Sequence, residues 1–249
     1  MQIKLIGHTQ LVDDVFLFDE TGNLDWVNAK DHLDCTDGQA IALSAIRTCY
    51  SHNKPSEIVE LEGEKYFGSD AKDGEGGTDA DRLLRHIVKS GHTSTLEHIN
   101  FTFAIEGVSR SLLAQITRHR HFSFSVQSQR YVKLESDSKS GGFAAVVPKT
   151  VENNDKGDTE GVYLDALQII QETYNRLREL GIPAEDARYI LPNAATCNLV
   201  LTGNLRSILE FYSKRGAKQA QWEIRELAEL MKAAVIEVEP WTESFFKVK

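Results

Sequence analysis

Hydrophobic and polar positions along this chain switch between a period of two and a period near 3.6, and the switches mark its elements. At the N-terminus Ile3 and Leu5, then Val15, Phe16, Leu17 and Phe18, read as short strands. Ile41, Ala45 and Ile46 recur at helical spacing and predict a helix over Ala40–Tyr50, capped by Thr36 or Asp37. Residues 51–78 show little periodicity and hold five glycines, so they read as a loop or excursion. Asp79 is placed to cap a helix over Ala80–Ser90 that stops at Gly91. In Leu96–Val108 the residues Ile99, Phe101, Phe103 and Ile105 alternate, which predicts a strand. Ser109 then caps a helix through His119 with Leu112, Leu113 and Ile116 inward, and an irregular Ser-rich stretch runs to Tyr131. Residues 135–160 are polar and read as a mobile loop around one short apolar strand, FAAVVP.

The longest helical signal spans about Gly161–Leu180, where Tyr163, Leu167, Ile170, Tyr174 and Leu177 form one stripe. Gly181 ends it, and Pro183 opens a short helix ending before Pro192. A strand at Asn198–Leu201, a helix Leu205–Arg215 closed by Gly216 and a helix Gln219–Val238 stopped by Pro240 complete the pattern. Strands and helices follow without regular βαβ alternation, which predicts an α+β fold with an antiparallel or mixed sheet and long helices. No Pro/Gly-rich linker separates two cores, so residues 1–249 are expected to form a single domain.

Composition narrows the function classes. Lys and Arg total 28 against 37 Asp and Glu, a net charge of −9, which argues against a general nucleic-acid binder. No apolar run approaches the ~20 residues that span a bilayer, and acids stand where a signal peptide would be apolar, so no membrane association and a cytoplasmic location are expected. Cys35, Cys49 and Cys197 are scattered without a C-x-x-C pair, which fits a reducing compartment without structural disulfides or metal.

The charge is unevenly spread. From Glu57 to Asp81 nine acids face only Lys65 and Lys72, a local net of −7, whereas Gly107–Leu134 holds no acid and five cations, Arg110, Arg118, Arg120, Arg130 and Lys133. Five of the eight His lie between His86 and His121. A cationic tract inside an acidic chain is what a local anion site needs, because the planar guanidinium grips phosphate through paired hydrogen bonds. An exposed basic helix end is the competing reading. His119 and His121 are two apart and His92 and His98 six apart, which does not match a metalloprotease i, i+4 zinc pair. There is no G-x-S-x-G elbow, no G-x-G-x-x-G and no P-loop.

The tract RHRHFSFSVQS, Arg118–Ser128, carries an R-H-R-x7-S signature and continues as QRY. Together with GHTSTLEH (Gly91–His98), ARYILP (Ala187–Pro192), GNLRSILEFYSKR (Gly203–Arg215) and QAQWEI (Gln219–Ile224), it resembles the flavin-dependent thymidylate synthases over about residues 79–230. The resemblance implies an α+β homotetramer with active sites shared between subunits. It also implies reductive methylation of dUMP to dTMP, with methylenetetrahydrofolate as carbon donor and FAD reduced by NADPH as hydride carrier, and no Cys nucleophile. By resemblance, Ser94, Arg118, His119, Arg120, His121, Val126, Asn204, Arg206 and Glu210 would contact FAD, with His92 supporting the site. Gln115, Arg118, Gln127, Ser128, Gln129, Arg130, Arg188 and Arg215 would hold dUMP, and Arg215 would also be catalytic, favouring ionisation of the uracil ring. Ser128 reads as a hydrogen-bonding positioner, since a lone Ser without a positioned base is a weak nucleophile. Where the common signature has Asn-Glu this chain has Ser125 and Val126, so a contact at Val126 is through backbone or apolar atoms. A nucleotide- or RNA-binding module using Arg with Phe122 and Phe124, and a catalytically silent relative, are the alternative readings.

Overall fold

A computed structural model describes residues 1–12, 15–18, 24–27 and 33–248, with 15–18 and 24–27 described by their backbone. Strand β1 (Gln2–His8) is followed by a two-stranded antiparallel pair, β2 (Val15–Phe18) and β3 (Leu24–Val27), with Val15 opposite Val27. Helices α1 (Asp37–Thr48), α2 (Ile58–Phe67) and α3 (Asp79–Ser90) precede a 3-10 turn at Thr93–His98 and strand β4 (Asn100–Ser109). Next come α4 (Arg110–Ile116), β5 (Ser123–Val126), the single turn α5 (Lys149–Glu152), the long α6 (Thr159–Glu179) and the short α7 (Ala184–Ala187). Strand β6 (Thr196–Asn204), α8 (Leu205–Arg215), α9 (Trp222–Val238) and a 3-10 segment at Pro240–Phe245 end the chain.

One sheet has the strand order β1-β4-β6-β5. Arg110 N–H donates to Ala195 O at 3.0 Å, the Thr102 and Thr202 hydroxyls are 2.9 Å apart, and Leu205 N–H donates to Ile99 O at 2.8 Å. One number falls as the other rises, so β4 and β6 run antiparallel. The fold is therefore α+β with helices and an antiparallel sheet. Ile99, Phe101, Phe103 and Ile105 are all fully buried, as their alternation predicts. Among the described residues no helix is long and apolar enough to cross a membrane.

The chain clusters into two compact units. One holds Met1–Lys4, Phe103–Leu201 and Gln221–Leu227; the other holds Leu5–Thr102, Thr202–Ala220 and Ala228–Lys249.

In the second unit the reading of 51–78 as a loop is corrected: Ile58–Phe67 is a helix. Its face Ile58, Val59, Glu62, Tyr66 and Phe67 is buried, and Ile58, Tyr66 and Phe67 pack with Leu43 of α1 and Ala80 of α3. A helix-interior glycine costs about 1 kcal/mol relative to alanine, whereas burying each large apolar side chain contributes about 1.5–3 kcal/mol, so packing wins over propensity. A Cβ at Gly63 would lie 2.5 Å from Leu33 Cδ1, so a larger residue there would require the Leu33 side chain to shift. Thr78, not Asp79, caps α3, in a reciprocal capping box with Asp81, and Gly91 closes the helix in the left-handed region at φ 79°. Thr36 caps α1 with Gln39 in the same way. The buried Glu239 accepts from Gly38 N–H at 3.1 Å and also bonds the Thr36 hydroxyl, fastening the end of α9 to the start of α1.

Glu62 is the buried acid of the charged stretch, and Arg47 Nε donates to it at 2.6 Å, with Asn53 at 3.0 Å and the Ser51 hydroxyl also bonded. Burial pushes this carboxyl up, but the bonds from Ser51, Arg47 and Asn53 more than offset it, so its pKa lies below the ordinary 4.5. A folded value below the unfolded one gives stability that is present above the unfolded value and lost as pH falls through the folded one. Glu62→Gln is expected to lower stability near neutral pH and to flatten the loss of stability below about pH 4.5, read as denaturation midpoints across a pH series. A variant whose midpoint falls with acid as steeply as the parent's would count against this.

In the first unit the predicted helix from Ser109 to His119 stops at Ile116, and the irregular stretch contains β5. The segment 135–160, which contains α5, is tied to α6 by side-chain hydrogen bonds. Gln171 of α6 binds Leu134 O and Phe143 N–H at 2.9 and 2.8 Å, and Tyr163 donates to Val146 O at 2.9 Å. The expected strand FAAVVP is reduced to one bridge, Ala145 with Ala195. Of the α6 stripe only Tyr174 is fully buried.

Candidate active site

The predicted site residues divide between the units: Gln115, Arg118–His121, Val126–Arg130 and Arg188 in the first; Ser94, Asn204, Arg206, Glu210 and Arg215 in the second. Each group is built by local rules.

In the first unit Ser109 begins α4: its hydroxyl oxygen accepts from Leu112 N–H at 3.0 Å. The Ser109 N–H and O–H in turn donate to the two carboxylate oxygens of Glu223, in the first turn of α9, at 2.8 and 2.6 Å. Both residues are buried, and Leu112 and Ile116 bury the inner face of α4. The chain then leaves the helix in tight turns, Arg118 N–H to Gln115 O and His119 N–H to Ile116 O, which present Arg118, Arg120 and His121 to solvent. Phe122 is the anchor that forces this exit; it is buried, its ring lies 6.1 Å from His119 and 6.2 Å from Phe124, and Gln127 N–H binds Asn198 O of β6 at 2.8 Å. Phe122, Phe124 and Val126 alternate with the exposed Ser123 and Ser125, a period-two strand signal already present in the sequence but only a few residues long.

The turn after β5 is held by Ser128, whose hydroxyl oxygen accepts from Arg130 N–H at 3.2 Å while its carbonyl accepts from Val132 N–H at 3.0 Å. This positions the backbone and suits Ser128 as a hydrogen-bonding residue. The backbone N–H groups of Gln127 and Arg130 are thereby committed, so an anion gripped here would meet side chains and the N–H groups between them. The Arg130 guanidinium lies over the Tyr131 ring, 5.6 Å from its centroid, and pairs with Glu185 of α7. Arg188 follows α7 and is half-buried. Glu185 is a residue sequence reasoning missed, because nothing in the pattern of α7 marks it.

In the second unit the 3-10 turn bearing Ser94 and helix α8 are drawn together by Leu205 N–H to Ile99 O and by an ion pair between Glu97 and Arg206. Asn204 caps α8, accepting from Ser207 N–H at 2.9 Å, which leaves its amide N–H group for other work. Glu210 pairs with Lys214 one turn on, and Arg215 occupies the last turn, half-buried. His92 Nδ1 is 3.1 Å from the Tyr50 hydroxyl.

Cys197 of β6 is buried, and burial pushes its thiol up despite the neighbouring Arg110, so it stays protonated and is a poor nucleophile. One surface cleft of the first unit, about 540 Å³, is lined by Lys133, Glu135, Asp137, Asn175 and Arg178. In the first unit, exposed Arg118, Arg120 and His121 on an acid-free tract are donors suited to an anionic group such as a pyrophosphate. In the second, the Asn204 amide N–H group and Arg206 are donors suited to a polar ring edge.

The comparisons give this architecture a class. The model of the thymidylate synthase complementing protein family matches residues 32–241. A flavin-dependent thymidylate synthase from Geobacter sulfurreducens is 41% identical over 201 residues, covering 81% of this chain and 78% of that protein. One from Clostridium tetani is 33% identical over 219 residues, covering 81% and 79%. This chain belongs to the flavin-dependent thymidylate synthase family. Its fold is shared with a UMP/dUMP methylase from Streptomyces cacaoi bound with 5-Br dUMP (TM-score 0.68, 22% identity, 98% of this chain and 94% of that one). It is shared too with thymidylate synthase X from Helicobacter pylori with FAD and dUMP (TM-score 0.63, 22% identity, 99% and 97%).

Proposed function

We propose that this chain methylates carbon 5 of dUMP to give dTMP, taking the carbon from methylenetetrahydrofolate, with FAD reduced by NADPH as hydride carrier. Family membership across residues 32–241 is the observation that carries the reading. Bound FAD would supply the hydride that completes the methyl group. Arg118, His119, Arg120 and His121 would contact it, with Val126 as a backbone or apolar contact, as would Ser94, Asn204, Arg206 and Glu210. Glu210 already engages Lys214, so a flavin contact would have to share that carboxylate.

Gln115, Gln127, Ser128, Gln129, Arg130 and Arg188 would bind dUMP, Arg118 lying near it as well, and the guanidinium groups would carry most of the phosphate grip through charge-assisted bonds. Arg215 would stand beside the uracil imide, where a cation stabilises the deprotonated nitrogen and lowers its pKa. Charge gained by the ring enriches carbon 5, the atom to be methylated. The working form would be a homotetramer in the cytoplasm with active sites shared between subunits.

The first test is colour. The purified protein is expected to be yellow with a bound-flavin spectrum, and to form thymidylate from dUMP, methylenetetrahydrofolate and NADPH. A colourless protein that takes up no added FAD would sink the proposal and favour a nucleotide-binding module; flavin without thymidylate formation would favour a catalytically silent relative.

A further inference from the structure

Two of the arginines given to dUMP meet at one acid that neither motif contains. Arg130 Nη2 lies 2.8 Å from Glu185 Oε2, and Arg188 Nε donates to the Glu185 carbonyl oxygen at 3.1 Å. The first contact is made by the Glu185 side chain and the second by its backbone. Arg188 can therefore keep residue 185 in place while the carboxylate moves. The Arg130 and Glu185 side chains are each 49% exposed, so an incoming anion can reach the pair.

We propose that Glu185 competes with the substrate phosphate for Arg130: its carboxylate pairs with the Arg130 guanidinium and is displaced when the phosphate binds. The inference rests on the reading of Arg130 as the phosphate residue. An ion pair this exposed is weak. A phosphate monoester brings nearly two charges and three acceptor oxygens to the same guanidinium, against one charge and two oxygens from Glu185, so exchange favours the phosphate. A neutral nucleoside gains nothing by displacing the acid. Glu185 thus lowers affinity for every ligand that uses Arg130 and leaves that of a neutral nucleoside unchanged.

The test is equilibrium binding of dUMP and inorganic phosphate, with deoxyuridine followed as an inhibitor of turnover, in the FAD-loaded full chain. Glu185→Gln is expected to bind dUMP about three- to five-fold tighter, as expected for release of a weak exposed pair, and phosphate tighter by a similar factor, with deoxyuridine unchanged. In an Arg130→Ala background the same substitution is expected to do nothing, since the pair no longer exists. Unchanged or weaker dUMP binding by Glu185→Gln, where Arg130→Ala alone binds dUMP more weakly, overturns the role of Glu185 and leaves that of Arg130. An equal shift for dUMP and deoxyuridine also overturns it, because that marks a structural effect. Parent-like dUMP binding by Arg130→Ala overturns both readings.

Discussion

Arg215→Ala is expected to lower thymidylate formation by about 10²-fold or more while the bound-flavin spectrum is retained, because loss of one preorganised group that stabilises developing charge costs roughly 10²–10³ in rate. Arg215 lies in the last turn of α8, and Arg206, the arginine proposed to contact the flavin, lies nine residues earlier on the same helix. At about 100° per residue that separation places the two on opposite faces, so truncating one leaves the other's surroundings intact. Through the helix dipole alone, a cation in a last turn contributes about 0.3–1 kcal/mol. Arg215→Lys is expected to recover part of the rate, since it keeps the charge but not the planar fork. Turnover of the alanine variant within a few-fold of the parent would reject the catalytic role.

The second large effect is on stability and reaches the site indirectly. Glu223→Ala is expected to destabilise the protein by about 3 kcal/mol, because it strands the Ser109 N–H and O–H in a buried place and removes a charged acceptor. Glu223 and Ser109 are 2% and 3% exposed, so water cannot take over. Since Ser109 caps the helix that leads into Arg118–His121, flavin affinity is expected to fall as well. The denaturant midpoint, measured at fixed protein concentration, reads the first effect and flavin titration the second. If the acid acts through Ser109, the costs of Ser109→Ala and Glu223→Ala will not add. A midpoint shift equivalent to under 1 kcal/mol would show that the pair is dispensable.

Local chemistry was legible wherever residue type and spacing decide it. Thr36 and Ser109 as caps, the alternation that buries Phe101, Phe103 and Ile105, and the stop at Gly91 all depend on neighbours within a few positions, so the chain order contains them. The acid-free tract around Arg118–Arg130 and its signature motif were legible for the same reason, since both are linear features. Helix α2 was not, because its glycine-interrupted, acidic pattern becomes helical only when Ile58, Tyr66 and Phe67 find Leu43 and Ala80. Strand β5 is only four residues long, so its alternation is a weak local signal, and it is fixed by pairing to β6.

The net charge of −9 is a sum over the whole chain, and the sequence alone shows that an acidic stretch masks a basic one. Which acids act on which cations is a matter of tertiary structure. Glu62 is buried under Arg47, Glu223 holds the cap of α4, and Glu185 sits on Arg130, 55 positions away in sequence. Periodicity and motif specify elements and candidate chemistry, because those are set by covalent neighbours. Partnership between distant charges is set by packing, which brings together residues that no local pattern relates.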